Sequence, residues 1–215
     1  MRYAGSAGLL PALALIGSLA APSMAAAQAQ EPETIVRTTS EQLLKDVKAR
    51  NQEFRKNPET FYRYVENIVV PHFDWPYITR LILANNWKSA SDDQRKRFAD
   101  AFQGMLIRTY ADALLEYHDA ADVEWLPTQP GQTERDLLVR SQLNRDGRPP
   151  IPIGFAMLRR NEDWKIYDIV IESSSVVNSF RGQYNAEIRA NGLQSLIERL
   201  ESTQPKSADE VVTTD

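Results

Sequence analysis

Apolar positions in this chain repeat at helical spacing up to about Tyr117 and at strand spacing after Asp119. Leu43, Leu44 and Val47 share a helical face, with Phe54 further on. Asn57-Pro58-Glu59 predicts a second helix start: Asn as cap, Pro at the first helical position, an acid in the first turn. Phe61, Tyr62, Val65, Ile68 and Val69 then recur along one side until Pro71 stops the helix. Asp74-Trp75-Pro76 opens a third helix bearing Ile78, Leu81 and Ile82. Ser91 and Gln94 form a capping box for a fourth. Its broad apolar face runs from Phe98 and Phe102 through Met105, Leu106, Thr109 and Tyr110 to Ala113, Leu114 and Tyr117. Arg97, Asp100, Arg108 and Asp112 occupy the opposite side.

The second half reads as strands. A short strand runs from Val123 to Leu126, stopped by Pro127, and Gln129-Pro130-Gly131-Gln132 is a loop. Leu137, Val139, Ser141 and Leu143 alternate with polar neighbours, and so do Ile151, Ile153, Phe155 and Met157 across the turn Asp146–Pro150. Trp164 to Ile171 is a strand apolar on both faces. Short loops join these strands, which predicts an antiparallel meander. Helical spacing returns from about Ser175 to Ala190, and from Leu193 to Leu200 after Asn191-Gly192. Helices first and strands second predict an α+β fold.

The ends add a location. Arg2 is the only formal charge before Glu31; an apolar stretch from about Leu9 to Ala21 and small residues at 25–29 follow it. That is the pattern of a secretory signal peptide, cleaved after Ala27 or Ala29. The apolar run is too short for a membrane anchor of about 20 residues. The expected division is a signal peptide at 1–29, a linker at 31–40, one domain at 41–202 and a disordered tail at 203–215.

Charge and composition then narrow the chemistry. The net charge of −4, near −5 without Arg2, argues against a nucleic-acid binder. The absence of Cys removes disulfide and thiolate chemistry and suits an oxidising compartment. His72 and His118 each have an acid nearby in sequence, as a general base would, but helix ends collect His and Asp for capping alone. No HExxH or spaced ligand set predicts a metal, and no GxSxG or SxxK motif turns Ser173-Ser174-Ser175 into a nucleophile. The three serines mark a strand-to-helix junction, with Ser174 or Ser175 as cap. What remains is an excess of apolar surface on the fourth helix and on the strands. It is compatible with an ordinary core. A sheet curling away from its helices would instead leave a cavity suited to acyl chains, and two tails would bring on the order of 20 kcal/mol of transfer free energy.

Several stretches carry a family likeness. Val70-Pro71-His72-Phe73-Asp74-Trp75-Pro76-Tyr77-Ile78-Thr79-Arg80-Leu81-Ile82-Leu83, Trp87 and Ser91–Phe98 resemble the MlaC, or toluene-tolerance auxiliary, family. So do Phe102–Tyr110 with Leu114 and Tyr117, and Val176–Tyr184 followed by Gly192, Leu193 and Leu200. The likeness covers about residues 34–202. One departure is Leu83-Ala84-Asn85-Asn86-Trp87, where the family usually shows Leu-Gly before the Trp.

The resemblance implies a soluble periplasmic phospholipid carrier with no catalytic residues, no metal and no cofactor other than its lipid cargo. It implies a fold like the nuclear-transport-factor-two cone: a helical layer on a curved antiparallel sheet, a lipid cavity and closing C-terminal helices. It further implies a monomer shuttling lipid between an outer-membrane lipoprotein–porin complex and an inner-membrane ABC transporter with an MCE-domain subunit. Under this reading the facing apolar stripes supply the lipid contacts. The expected residues are Phe98, Phe102, Leu106 and Tyr110 on the fourth helix, and Ile153, Phe155, Met157, Ile166 and Ile169 on the sheet. Val177 and Phe180 join them from the closing helix. An enzyme on the same fold would need a polar group facing the cavity, for which Asp168 and Arg140 are the candidates; an adaptor with a filled core would have no cavity.

Overall fold

A computed structural model describes residues 31–117, 122–145 and 147–203. The signal segment 1–29, His118 and the tail beyond Thr203 lie outside the described residues. Four helices come first: α1 (Pro32–Lys56), α2 (Pro58–Val69), α3 (Trp75–Leu83) and α4 (Asp92–Tyr117). A sheet follows, formed by β1 (Asp122–Pro130), β2 (Asp136–Arg145), β3 (Arg148–Arg160), β4 (Asp163–Ile171) and the short β5 (Ser174–Ser175). Helices α5 (Val176–Asn191) and α6 (Leu193–Ser202) close the chain. The strands pair antiparallel in sequence order, so the sheet is an open meander.

The helix starts follow their caps. The Asn57 side chain accepts from the Thr60 N–H, and Asp74 from the Tyr77 N–H. Ser91 and Gln94 exchange the two hydrogen bonds of the capping box, both at 3.1 Å. The Ser175 hydroxyl accepts from the Asn178 N–H, so the serine run is a helix start. Beneath it, Asp168 accepts the Val177 N–H at 2.9 Å and the Ser175 hydroxyl. The candidate acid of an enzyme reading thus serves the α5 N-terminus, where the orphan N–H groups and helix dipole favour a carboxylate.

Two sequence expectations need correction. Residues 31–40 are not a linker, because α1 begins at Pro32 and is helical throughout that stretch. Pro32 and Glu33 are good first-turn residues, and Ile35 and Val36 are buried against the sheet. Threonines at 34, 38 and 39 weaken the helical signal in sequence, and tertiary burial overrides it. The first strand also does not stop at Pro127 but continues to Pro130, with its register to β2 shifting between Leu126 and Gln129. An edge strand tolerates prolines because one side of its backbone needs no ladder partner.

The core is divided into three clusters. In the first, α3, the N-terminal half of α4, α5 and α6 pack around Ile82, Leu83, Phe98, Phe102, Tyr184 and Leu196. Its rings meet mostly edge-on, with Phe102 5.1 Å from Phe180 and 5.9 Å from Tyr184 between centroids. The second joins α1, α2 and the C-terminal half of α4 around Val47, Phe54, Phe61, Val65, Ala111 and Leu115. The third sets Ile35 and Val36 of α1 on Val139, Met157 and Ile166 of the sheet.

The sequence departure after Leu83 has a structural counterpart. Ala84 ends α3 with φ 51° and ψ −115°. This region is natural for glycine and crowded for a residue with a Cβ. Ala84→Gly should therefore stabilise the fold by about 1 kcal/mol, a rise in Tm of roughly 2–4 °C for a domain of this size by calorimetry. An unchanged or lower Tm would show that the turn carries no such strain.

Candidate functional site

Between the three clusters lies a cavity of about 410 Å³ whose surface is almost wholly apolar. That volume is within the range of small-molecule sites. Each surrounding element contributes a wall. Helix α1 supplies Ile35, Val36 and Leu43, together with Thr39 and Ser40; α2 supplies Val65 and Val69. The segment after α2 adds Val70, His72 and Phe73, and the first residue of α3 adds Trp75. Helix α4 presents Leu106, Ile107, Tyr110, Ala111 and Leu114. Opposite stand Ile153 and Phe155 of β3, Ile166, Ile169 and Ile171 of β4, and Val176 at the start of α5. Tyr110 is 48% exposed although it lines the cavity, which marks where the chamber meets solvent.

The sheet wall depends on an irregularity. Ile153, Phe155 and Met157 alternate on one face of β3, opposite Ile171, Ile169 and Ile166 of β4. Regular pleating would put Ile166 and Ile169, three residues apart, on opposite faces. The register shift between Ala156 and Met157 leaves Tyr167 as the extra residue of a bulge, which returns Ile166 to the cavity side. Tyr167 packs with the α3–α6 cluster instead, edge-on to Tyr77 at 5.7 Å.

Of the eleven residues expected from sequence, Leu106, Tyr110, Ile153, Phe155, Ile166 and Ile169 line the cavity. Phe98, Phe102, Val177 and Phe180 do not; they pack in or against the α3–α6 cluster. The apolar stripe of α4 is shared lengthwise: its N-terminal half meets α5 and α6, and only its C-terminal half, which also packs on α1 and α2, reaches the chamber. Met157 lies on the cavity-side row of β3 but is fully buried, in the cluster where Ile35 and Val36 pack on the sheet. The α1 and α2 walls were missed, although the Ile35, Val36, Leu43 spacing is helical.

Polar groups at the cavity are few. Asp168 and Arg140 are not among its lining residues. No group of His, Asp and Glu suited to a metal ion occurs among the described residues. Among the described residues, His72 is the one titratable side chain besides Tyr110 along the wall. Burial pushes its pKa below the usual 6.5, and the nearby Lys165 ammonium pushes the same way. Both effects favour the neutral imidazole over the imidazolium.

The architecture and site define an α+β binding protein, built around an apolar chamber that opens at one side. The family model described as MlaC protein matches residues 37–202, and the chain belongs to that family. It is 25% identical over 181 residues to the toluene tolerance protein ttg2D of Pseudomonas putida, covering 83% of this chain and 82% of that protein. It is 21% identical over 174 residues to the intermembrane phospholipid transport system binding protein MlaC of Haemophilus influenzae, covering 80% and 81%. A phospholipid-binding protein of Ralstonia solanacearum, solved in complex with a phospholipid, superposes with a TM-score of 0.72 at 25% identity. That match covers 80% of this chain and 96% of the other. No helix among the described residues is long and apolar enough to cross a membrane.

His72 sets a pH dependence whose sign follows from its lowered pKa. As pH falls below 6.5 the unfolded chain takes up a proton that the folded chain resists, so stability present above that value is lost progressively below it. His72→Gln should make Tm fall less between pH 7.5 and 5.5 than in the unsubstituted protein. An identical fall in both would remove His72 as the cause.

Proposed function

We propose that this chain is a non-catalytic phospholipid carrier of the periplasm. It holds acyl chains in the chamber between α4 and the sheet, and carries lipid between membrane complexes to maintain outer-membrane lipid asymmetry. The observation that carries this reading is the chamber itself: about 410 Å³, bounded mostly by aliphatic and aromatic side chains from seven helical and strand elements. Such a surface suits a ligand whose bound part is hydrocarbon, because each buried methylene contributes about 0.8 kcal/mol. Membership of the MlaC family and the likeness to a phospholipid-bound protein from Ralstonia solanacearum support the same ligand class.

Leu106, Tyr110, Ile153, Phe155, Ile166 and Ile169 are the expected tail contacts, while Phe98, Phe102, Met157, Val177 and Phe180 brace the walls from behind. The headgroup rests in water near Tyr110. Partners are an inner-membrane ABC transporter complex with an MCE-domain subunit and an outer-membrane lipoprotein–porin complex. The carrier acts as a monomer, exported by its N-terminal signal, and works without a metal or other cofactor.

Protein purified after expression in Gram-negative cells should yield near-stoichiometric phospholipid by extraction and mass spectrometry. Its absence, with the protein folded, would defeat the proposal. Phe155→Asp places a charge in the apolar wall and should lower lipid occupancy at least tenfold, since burying an unpaired carboxylate costs several kcal/mol. The control charge change Asp100→Lys, on the exposed side of α4, should leave occupancy within twofold. Equal losses in the two variants, scored by the same extraction, would mean that Phe155 does not contact lipid.

A further inference from the structure

The α1 wall of the chamber contains a chemical interruption. Ile35, Val36, Thr39, Ser40 and Leu43 follow one another at i, i+1, i+4, i+5 and i+8, so they form one face of the helix. All five border the cavity. The two in the middle are hydroxyl residues set between aliphatic ones, in a helix that would be more stable with alanine or leucine there.

Several other helical hydroxyls in this protein are satisfied within their own helix. Ser and Thr in a helix commonly donate back to a carbonyl one turn earlier. Thr38 does so to Thr34 at 2.7 Å, Thr109 to Met105 at 2.9 Å, and Ser179 to Ser175 at 2.8 Å. The Thr39 and Ser40 side chains have no hydrogen-bond partner among the described residues. Both are half-buried. Each hydroxyl lies at the border of the chamber with its donor free to meet a group placed inside.

We infer that Thr39 and Ser40 form the ester-level site of the chamber: they donate hydrogen bonds to the carbonyl oxygens that link the acyl chains to glycerol. The inference rests on the carrier reading and adds to it a chemical selection. A phospholipid has one polar layer between its hydrocarbon and its phosphate, and ester carbonyls accept hydrogen bonds without carrying charge. A pair of neutral donors inside an apolar wall matches that layer. Cationic side chains would be the match for a phosphate, and among the described residues no Lys or Arg borders this cavity. The pair therefore fixes the depth of the lipid. Hydrocarbon lies beyond it against Ile35, Phe155 and Ile166, and the headgroup lies outward of it. The chamber accordingly distinguishes acyl esters from alkyl ethers of equal length and equal headgroup, which differ only in those carbonyls.

The full mature protein, stripped of lipid, is incubated with vesicles containing equal amounts of dipalmitoyl phosphatidylglycerol and its dihexadecyl ether analogue. Bound lipid is then quantified by mass spectrometry. The unsubstituted protein should take the diester over the diether by roughly tenfold, the worth of one or two neutral hydrogen bonds. Thr39→Val with Ser40→Ala should reduce that preference to within twofold, scored as the ratio of diester to diether in the lipid that the folded variant retains. Ser40→Ala alone, which suits the helix better, should fall between. Equal uptake of the two lipids by the unsubstituted protein overturns the ester site and leaves the carrier reading intact, as does an undiminished preference in the folded double variant. Retention of neither lipid by the unsubstituted protein overturns both.

Discussion

Strand β4 fastens the sheet to the helices, and the chamber exists because that fastening is one-sided. At one point the Asp74 N–H donates to the Ile166 carbonyl at 2.9 Å, Phe73 bridges to the same residue, and the Lys165 ammonium donates to the Pro71 carbonyl at 2.8 Å. Arg160, at the end of β3, pairs with Asp74 at 2.6 Å. Further along β4, Asp168 holds the start of α5. Beyond β4, the helices reach the sheet mainly where the first turns of α1 lie on β2. Polar backbone groups tied in this way fix the separation of the two layers. Apolar side chains that face each other across the gap are thereby kept from collapsing into one continuous core.

This arrangement explains which parts could be read from sequence. Caps and periodicity are local, so Asn57, Asp74, Ser91 and Ser175 announced their helices, and the alternation from Ile151 to Met157 announced its strand. The family likeness added the order of the layers and the cavity. Which partner an apolar stripe meets is not local. Phe98 and Phe102 have the same spacing as Leu106 and Tyr110, yet one pair meets α5 and α6 and the other borders the chamber. Nor did the strand pattern announce that a bulge would allow Ile166 and Ile169 to share a face. The first turns of α1 were hidden for a different reason, since threonine-rich helix is paid for by burial that only the folded sheet supplies.

Ile35, Val36, Val65, Ala111 and Ile166 belong both to the clusters and to the chamber wall, but many residues serve only one of the two. Phe54, Phe61, Phe98, Phe102, Leu196 and Ile197 are fully buried in the clusters and absent from the cavity wall. Leu106, Ile153, Phe155 and Ile169 are only partly buried and sit at the margins of those clusters. Truncating a cluster residue removes packing on all sides and costs several kcal/mol. Truncating a wall residue enlarges a space that is already open, at a smaller cost.

The division of the interior into three separate clusters therefore has an evolutionary consequence. Much of the stability resides in aromatic and aliphatic side chains that do not face the chamber, so a large part of the wall is free to drift in size and shape without bringing the domain near its unfolding threshold. Relatives sharing only 21–25% of their residues with this chain cover about four-fifths of it. In such a design, selection for a new ligand and selection for a stable protein act largely on different residues, and each can proceed with little harm to the other.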